Sequence, residues 1–277
     1  MRPIDVLHRG RERVIAAWLV GDVLVDCGPS ACLETLLEGL GDVRPRALAL
    51  THIHLDHAGA AGSLVERFPD LEVWVHELGA HHMIDPTRLL SSAKRLYGEE
   101  MDELWGEFKA VPAANVRELT GGERVGDFEV AYTPGHASHH VAYLHLPTRT
   151  ALTGDVTGVR ITPSSYVMAP TPPPDIDVEA WHESVAIVRD WAPSRLALTH
   201  FGLFEDVERH LDAIERSVDV AAERARDMSV EEFVAATAAD IANAGDPETT
   251  ARYAVGAPLD QTYAGLARYW SKRGVPR

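Results

Sequence analysis

The chain has 277 residues, 45% of them hydrophobic and 25% charged, a composition of soluble globular proteins that excludes disorder and coiled coil. Its 26 Lys and Arg stand against 42 Asp and Glu for a formal charge of −16. A surface of that sign repels phosphate backbones, so nucleic acid is excluded as the expected partner. The longest apolar run near the N-terminus, Val14 to Val20, is seven residues, against the roughly 20 that a membrane-spanning helix needs. No small-residue cleavage site follows it, and the expected location is the cytoplasm, without a membrane partner. Cys27 and Cys32 are too few for a disulfide framework and read as small buried residues. The unusual count is 14 histidines beside only three lysines, Lys94, Lys109 and Lys272.

In chain order, Val14 to Val20, the Gly21-Asp22 pair and Val23 to Asp26 predict a hairpin. Leu33, Leu36, Leu37 and Leu40 then recur at helical spacing, with Ser30 as the expected N-cap and Gly41 as the stop. A strand from Ala47 to Leu50 runs into Thr51-His-Ile-His-Leu-Asp-His57, a helical pattern covers Ala58 to Phe68, and Glu72 to Val75 is the next strand. That strand, helix, strand unit favours a layered α/β architecture. From about 79 to 109 a helical insert carries Met83, Leu89, Leu90, Leu96, Tyr97, Met101, Leu104, Trp105 and Phe108, either as a face buried on the core or as a lid over a pocket. Strands resume at Val125 to Tyr132, Val141 to His145 and Ala151 to Leu152. Five prolines between Pro163 and Pro174 then predict a stiff extended loop. A helix over Val178 to Trp191 leads to a last strand, Arg195 to Thr199. The remainder from Glu205 is helical, with breaks near Ser229, Gly245 to Pro247 and Gly256 to Pro258.

The histidines concentrate at strand ends. His52, His54, Asp56 and His57 form H-x-H-x-D-H at the end of a hydrophobic strand, where the backbone is rigid and the side chains reach an exposed rim. In an extended segment His52 and His54 project to one face and can share a metal, while Asp56 and His57 can face a second. Thr133-Pro-Gly-His136, Leu152-Thr-Gly-Asp155 and Leu198-Thr-His200 each repeat the pattern of a strand stopping at one ligand-type side chain. Imidazole and carboxylate donors suit two divalent metal ions, with zinc favoured by the nitrogen-rich set and iron or manganese as the other choices. His76, His81 and His82 read as solvated; His8, His145, His182 and His210 have no ligand-like context.

With these residues the chain resembles the metallo-β-lactamase fold superfamily over about residues 14 to 203, including Leu24-Val-Asp26-Cys-Gly28, which is similar to that family's structural Asp-x-Gly motif. The resemblance implies an αββα metallo-β-lactamase-type sandwich within the α/β class, with a domain over 1–203 bearing the helical insert and a helical C-terminal extension over 204–277. It implies a first metal site of His52, His54 and His136, a second of Asp56, His57 and His200, and Asp155 as the bridging carboxylate. The bridging Asp155 is unlike true β-lactamases, the acidic surface is unlike the RNA-processing branch, and the spacing from Asp155 to His200 is too short for the cap domain of the nucleic-acid-cutting branch. Flavodiiron proteins usually carry Glu where His54 stands. The glyoxalase II-like, thioesterase and lactonase group remains.

Two metals lower the pKa of bound water enough to hold a hydroxide near neutral pH. The expected reaction is therefore hydrolysis of an activated carbonyl, a thioester, lactone or ester, of a small and anionic substrate. Asp56 orients the nucleophile and moves a proton. Arg160, Tyr166 and His140 are the candidate substrate contacts. Two dications and a bridging hydroxide would raise the net charge to about −13 and leave the pocket locally cationic. The alternative on the same fold is a sulfur dioxygenase-like enzyme with a single iron, and a third reading is a metal-bound sensing protein. In the tail, Tyr263, Leu266, Tyr269 and Trp270 offer either a homodimer face or a packing face on the sandwich.

Overall fold

The structure is a computed structural model that describes residues 1–274. The chain divides into two compact units, Met1–Glu123 and the remainder from Arg124 onward, and each is built on its own six-stranded mixed sheet.

In the first unit the strands lie in sequence order: β1 (Arg2–Asp5), β2 (Ala16–Val20), β3 (Val23–Val25), β4 (Ala47–Ala49), β5 (Glu72–His76) and β6 (Val116–Leu119). β2 and β3 form the expected hairpin, with Leu19 opposite Leu24. β3 to β6 then run parallel. Every residue of β3 and β4 is buried, as central parallel strands covered on both faces require. Their register, Val25 opposite Ala49 and Ala49 opposite Trp74, brings the ends of three strands to one edge of the sheet. The chain leaves that edge at Asp26 after β3 and at Leu50 after β4.

Helices α1 (Leu33–Leu40), α2 (Leu55–Ala58), α3 (Ala61–Arg67), α4 (Glu77–Ile84), α5 (Thr87–Tyr97) and α6 (Met101–Trp105) belong to this unit. α1 stops as expected at Gly41, whose φ of 61° lets its N–H reach the Leu37 and Glu38 carbonyls. Ser30 does not cap it: a 3-10 turn intervenes, and the Ser30 hydroxyl donates to the Gly59 carbonyl at 2.8 Å. In the insert only Met83 of the nine apolar residues named above is buried, so α5 and α6 do not bury their stripe in the core. His76 is buried, and its Nδ1 caps α4 by accepting from the Leu78 N–H, whereas His81 is exposed as expected.

The second sheet has the order β12 (Gly202–Phe204), β11 (Arg195–Leu198), β10 (Thr150–Leu152), β9 (Val141–His145), β8 (Phe128–Tyr132), β7 (Arg124–Val125). Its β10–β11 pair is parallel, so the segments after Leu152 and Leu198 also leave one edge together. α7 (Val178–Asp190) is capped by Asp177, whose side chain accepts from Ala180 N–H. Four tail helices follow: α8 (Val207–Asp227), α9 (Val230–Ala244), α10 (Pro247–Gly256) and α11 (Leu259–Lys272). They break where the sequence places its caps, at the Ser229/Glu232 capping box and at Asp246 before Pro247. The tail shares one core with the second sheet, in which Ile214, Phe233, Leu266 and Tyr269 join Leu144, Leu198 and Trp181. Leu266 and Tyr269 are thus committed to this unit, Tyr263 and Trp270 pack against the same core, and Trp270 Nε1 donates to the Ala222 carbonyl at 2.7 Å. Of the two readings these four residues left open, packing within this unit is the one observed. Among the described residues no helix is long and apolar enough to cross a membrane.

Candidate metal centre

The first unit assembles one donor set. His52 and His54 lie between the end of β4 and α2, with His54 at the helix start, and Asp56 and His57 lie within α2. His52 Nε2 and His54 Nδ1 converge to 3.0 Å, and the His52 and His57 rings have centroids 3.9 Å apart. His57 Nε2 lies 3.7 Å from Asp56 Oδ2. The Asp56 side chain is 18% exposed while that of His57 is 0%, so Asp56 is the more open of the two.

This set is held from behind by Asp26, which is fully buried. Its Oδ1 accepts from Thr51 N–H at 2.8 Å and its Oδ2 from His57 Nδ1 at 2.7 Å and from the Thr51 hydroxyl at 2.9 Å. A carboxylate accepting from Nδ1 fixes the His57 tautomer and leaves the Nε2 lone pair for a ligand, the usual outer support of a metal-binding histidine. Asp26 itself has φ 53°, and Cys27 N–H donates to the His57 carbonyl at 2.8 Å, so this turn holds the His57 backbone as well as its ring. The sequence marked Asp26 only as structural; its signal is an acidic residue ending one buried parallel strand beside the strand that ends in histidines.

The second unit assembles the other set. His136 lies in the β8–β9 connection, Asp155 after β10 and His200 after β11. Asp155 Oδ2 is 3.3 Å from His136 Nε2, and its Oδ1 is 3.6 Å from His200 Nε2, so one carboxylate offers a different oxygen to each imidazole. All three residues are buried. His136 Nδ1 donates to the Pro170 carbonyl at 2.8 Å, which again leaves Nε2 with the lone pair. Gly135 is required beside it: its φ is 125°, and a Cβ there would meet Trp181 Cα at 2.4 Å.

These separations fit metal ligation. Two donors each about 2.1 Å from one tetrahedral zinc lie about 3.4 Å apart, and the pairs above fall between 3.0 and 3.7 Å. Imidazole nitrogens with their opposite N–H taken up and carboxylates beside them are the donors that a divalent zinc, iron or manganese ion accepts.

The three expected substrate contacts are placed differently. His140 is fully buried: its Nδ1 bonds the Thr133 hydroxyl at 2.8 Å, and its Nε2 accepts the Asp155 backbone N–H at 3.2 Å. It supports the Asp155 turn and has no nitrogen left for a substrate. Arg160 pairs with Asp206 at 2.8 Å and lies 4.3 Å over the Phe204 ring, so its charge is already matched. Its backbone N–H donates to the His200 carbonyl at 2.7 Å, a supporting role that the spacing did not reveal. Tyr166 packs with Ile161, Met168 and Tyr253, and burial pushes its phenol up to about 12.

Both cysteines are buried and free, as expected. Burial, reinforced by neighbouring Asp26, pushes the Cys27 thiol far above its ordinary range. Burial, with Asp5, pushes Cys32 up to about 11.

The sequence profile of the metallo-β-lactamase superfamily matches residues 10–200, and the chain belongs to that superfamily. Its two mixed six-stranded sheets with helices and C-terminal helices have this family's fold. Among curated relatives, "Probable metallo-hydrolase YybB" of Bacillus subtilis is 26% identical over 193 residues, 67% of this chain and 80% of that one. A hydroxyacylglutathione hydrolase of Hamiltonella defensa is a more distant homologue, 29% identical over 135 residues, and the match spans 47% of this chain and 43% of that protein's length. The solved structure of ST1585 from Sulfolobus tokodaii matches with a TM-score of 0.61 at 24% identity, covering 76% of this chain and 80% of that one. TTHA1623, solved in a di-iron-bound form, matches with a TM-score of 0.58 at 26% identity, covering 77% of this chain and 98% of that one.

Proposed function

We propose that the two donor sets together hold two divalent metal ions, His52, His54 and His136 around the first, Asp56, His57 and His200 around the second, and Asp155 shared by both. The protein is then a hydrolase acting on an activated carbonyl of a small molecule, a thioester, lactone or ester. The observation that carries this reading is Asp155, whose two oxygens face two different imidazoles within one unit. A carboxylate so placed is what a two-metal site requires and a single-metal site does not. Membership of the superfamily and the homology to hydroxyacylglutathione hydrolases support hydrolysis, and the latter favours a thioester.

When bound, such ions supply acidified water and positive charge for a developing oxyanion. The chain's own residues do the rest. Asp56, the more open carboxylate, orients the attacking water and carries a proton toward the leaving group as the intermediate collapses. Asp26 and the Pro170 carbonyl hold His57 and His136 in the tautomers that place the lone pair on Nε2. The raised pKa values of Cys27 and Cys32 leave neither as a thiolate nucleophile near neutral pH.

Zinc is the metal the nitrogen-rich set favours, and elemental analysis of the native protein tests it directly. Two metal equivalents per chain are expected, with turnover in a panel of esters, lactones and thioesters. Asp56→Ala is expected to keep the fold and to lower turnover by roughly 10² to 10⁴. Wild-type turnover in that variant would remove Asp56 from the chemistry. One iron per chain with oxygen-dependent turnover of a persulfide would replace the hydrolase reading with the dioxygenase one.

A further inference from the structure

The aim of His136 is set outside its own loop. Its Nδ1–H is held by the Pro170 carbonyl, so wherever that carbonyl sits, the Nε2 lone pair follows. Pro170 lies in the irregular stretch between β10 and α7, where Pro163, Pro170, Pro172, Pro173 and Pro174 have no backbone N–H to give. A segment so poor in donors is held by partners from elsewhere in the chain.

Those partners are the C-terminal helices, and they grip the residues on either side of Pro170. Ala169 N–H donates to the Ser217 hydroxyl of α8 at 3.0 Å. Thr171, fully buried, donates its hydroxyl to the Thr262 carbonyl of α11 at 2.7 Å. Gly265 lies so close beneath the loop that an added Cβ would meet the Thr171 carbonyl oxygen at 2.0 Å, and that neighbour is backbone. Further along, Arg268 Nε and Lys272 Nζ both donate to the Pro174 carbonyl, at 3.3 and 3.2 Å.

We propose that the C-terminal helices position a metal ligand, with Ser217, Thr171 and Gly265 as positioning residues that fix the Pro170 carbonyl and, through it, the orientation of His136. The proposal rests on the reading of His136 as a ligand. It gives the tail a role in the centre while none of its residues enters the donor set. Outer partners of a ligating histidine shift metal affinity by roughly ten- to a hundredfold when changed, and a change one step further out acts at the low end of that range.

The test compares Thr171→Val, which keeps the side chain's volume but not its donor, with Thr171→Ser, which restores the donor. Ser217→Ala and Gly265→Ala complete the set, and Thr171→Val carries the test where Gly265→Ala fails to fold. Tyr263→Phe is the control, because the hydrogen bond it removes, to the Met228 carbonyl between α8 and α9, is not one of those that hold Ala169, Thr171 or Pro174. Each protein is titrated with zinc against a chelator, its cobalt form is examined by visible absorption, and its thermal midpoint is measured without metal. Thr171→Val and Ser217→Ala are expected to bind one of two zinc equivalents about tenfold more weakly and to shift the cobalt spectrum. Thr171→Ser is expected to behave as wild type, and Tyr263→Phe to lose thermal stability alone. Unchanged affinity and spectrum in Thr171→Val and Ser217→Ala, with lower midpoints, would reduce the contacts to tail packing and overturn the proposal while the hydrolase reading stands. Wild-type protein that takes up no zinc would overturn both.

Discussion

With its Nδ1–H given to Asp26, the His57 ring carries its lone pair on Nε2, the nitrogen that faces Asp56. Asp26 and His57 are separated by 31 residues, so no local spacing connects them. The H-x-H-x-D-H cluster was legible because its donors lie within six consecutive residues. The groups that aim those donors were not, because the parallel register of β3 and β4 creates the contact only after folding. The same holds in the second unit, where His140, read as a substrate contact, supports Asp155, and the carbonyl that aims His136 comes from Pro170. Asp26→Asn keeps the side chain's shape but removes the charge that draws the Nδ1 proton. It is expected to weaken binding of one metal equivalent by roughly ten- to a hundredfold. Competition with a chelator reads this, and affinity equal to wild type would mean that Asp26 serves the turn alone.

At the scale of elements, the central strands and the tail helices were legible and the sheet edges were not. β1, β6 and β12 are edge strands, and all were missed from sequence; β7, the remaining edge, was merged with β8. An edge strand has one neighbour and a partly wet surface, so it carries the charged residues and proline that blur alternation, as in Arg2-Pro-Ile-Asp5 and Val-Arg-Glu-Leu119. Central strands such as Val23-Leu-Val25 carry unbroken apolar runs because both faces are covered. Helix ends in the tail were readable because capping is local chemistry. At Ser229 the side chain accepts from Glu232 N–H and the Glu232 carboxylate accepts from Ser229 N–H, with both residues exposed in these contacts. Ser229→Ala is therefore expected to cost about 1 kcal/mol. Urea unfolding measures it, and a loss within a few tenths of zero would show that packing of α9, not its cap, sets its start.

Across the whole molecule the acidity remains, but one buried group makes stability depend on pH in a direction the net charge does not give. His210 on α8 donates Nε2–H to the Thr157 carbonyl at 2.8 Å and presents Nδ1 to Arg160 Nη1 at 3.4 Å, with the Phe204 ring beside it and Asp206 on the far side of Arg160. Burial, with further help from Arg160, pushes its pKa down from 6.5 to about 4, so the folded ring is neutral. The unfolded chain binds a proton there below about pH 6.5, and the folded chain resists until about 4. Between those values the unfolded state holds more protons, so the stabilisation is complete above the window and is lost as pH falls through it. From pH 7 to 5 the loss from this group is about 2 kcal/mol. Asp206, held low by Arg160, is lost only at still lower pH, with the same sign. His76, also lowered by burial, adds a parallel loss, so the informative quantity is a difference between proteins. His210→Gln keeps a donor for the Thr157 carbonyl and removes the titration. Its unfolding free energy without metal is expected to be lower than wild type at pH 7, with the gap narrowing by about 2 kcal/mol at pH 5. A gap that stays constant between the two pH values would mean that His210 gains its proton in the folded state as readily as in the unfolded one.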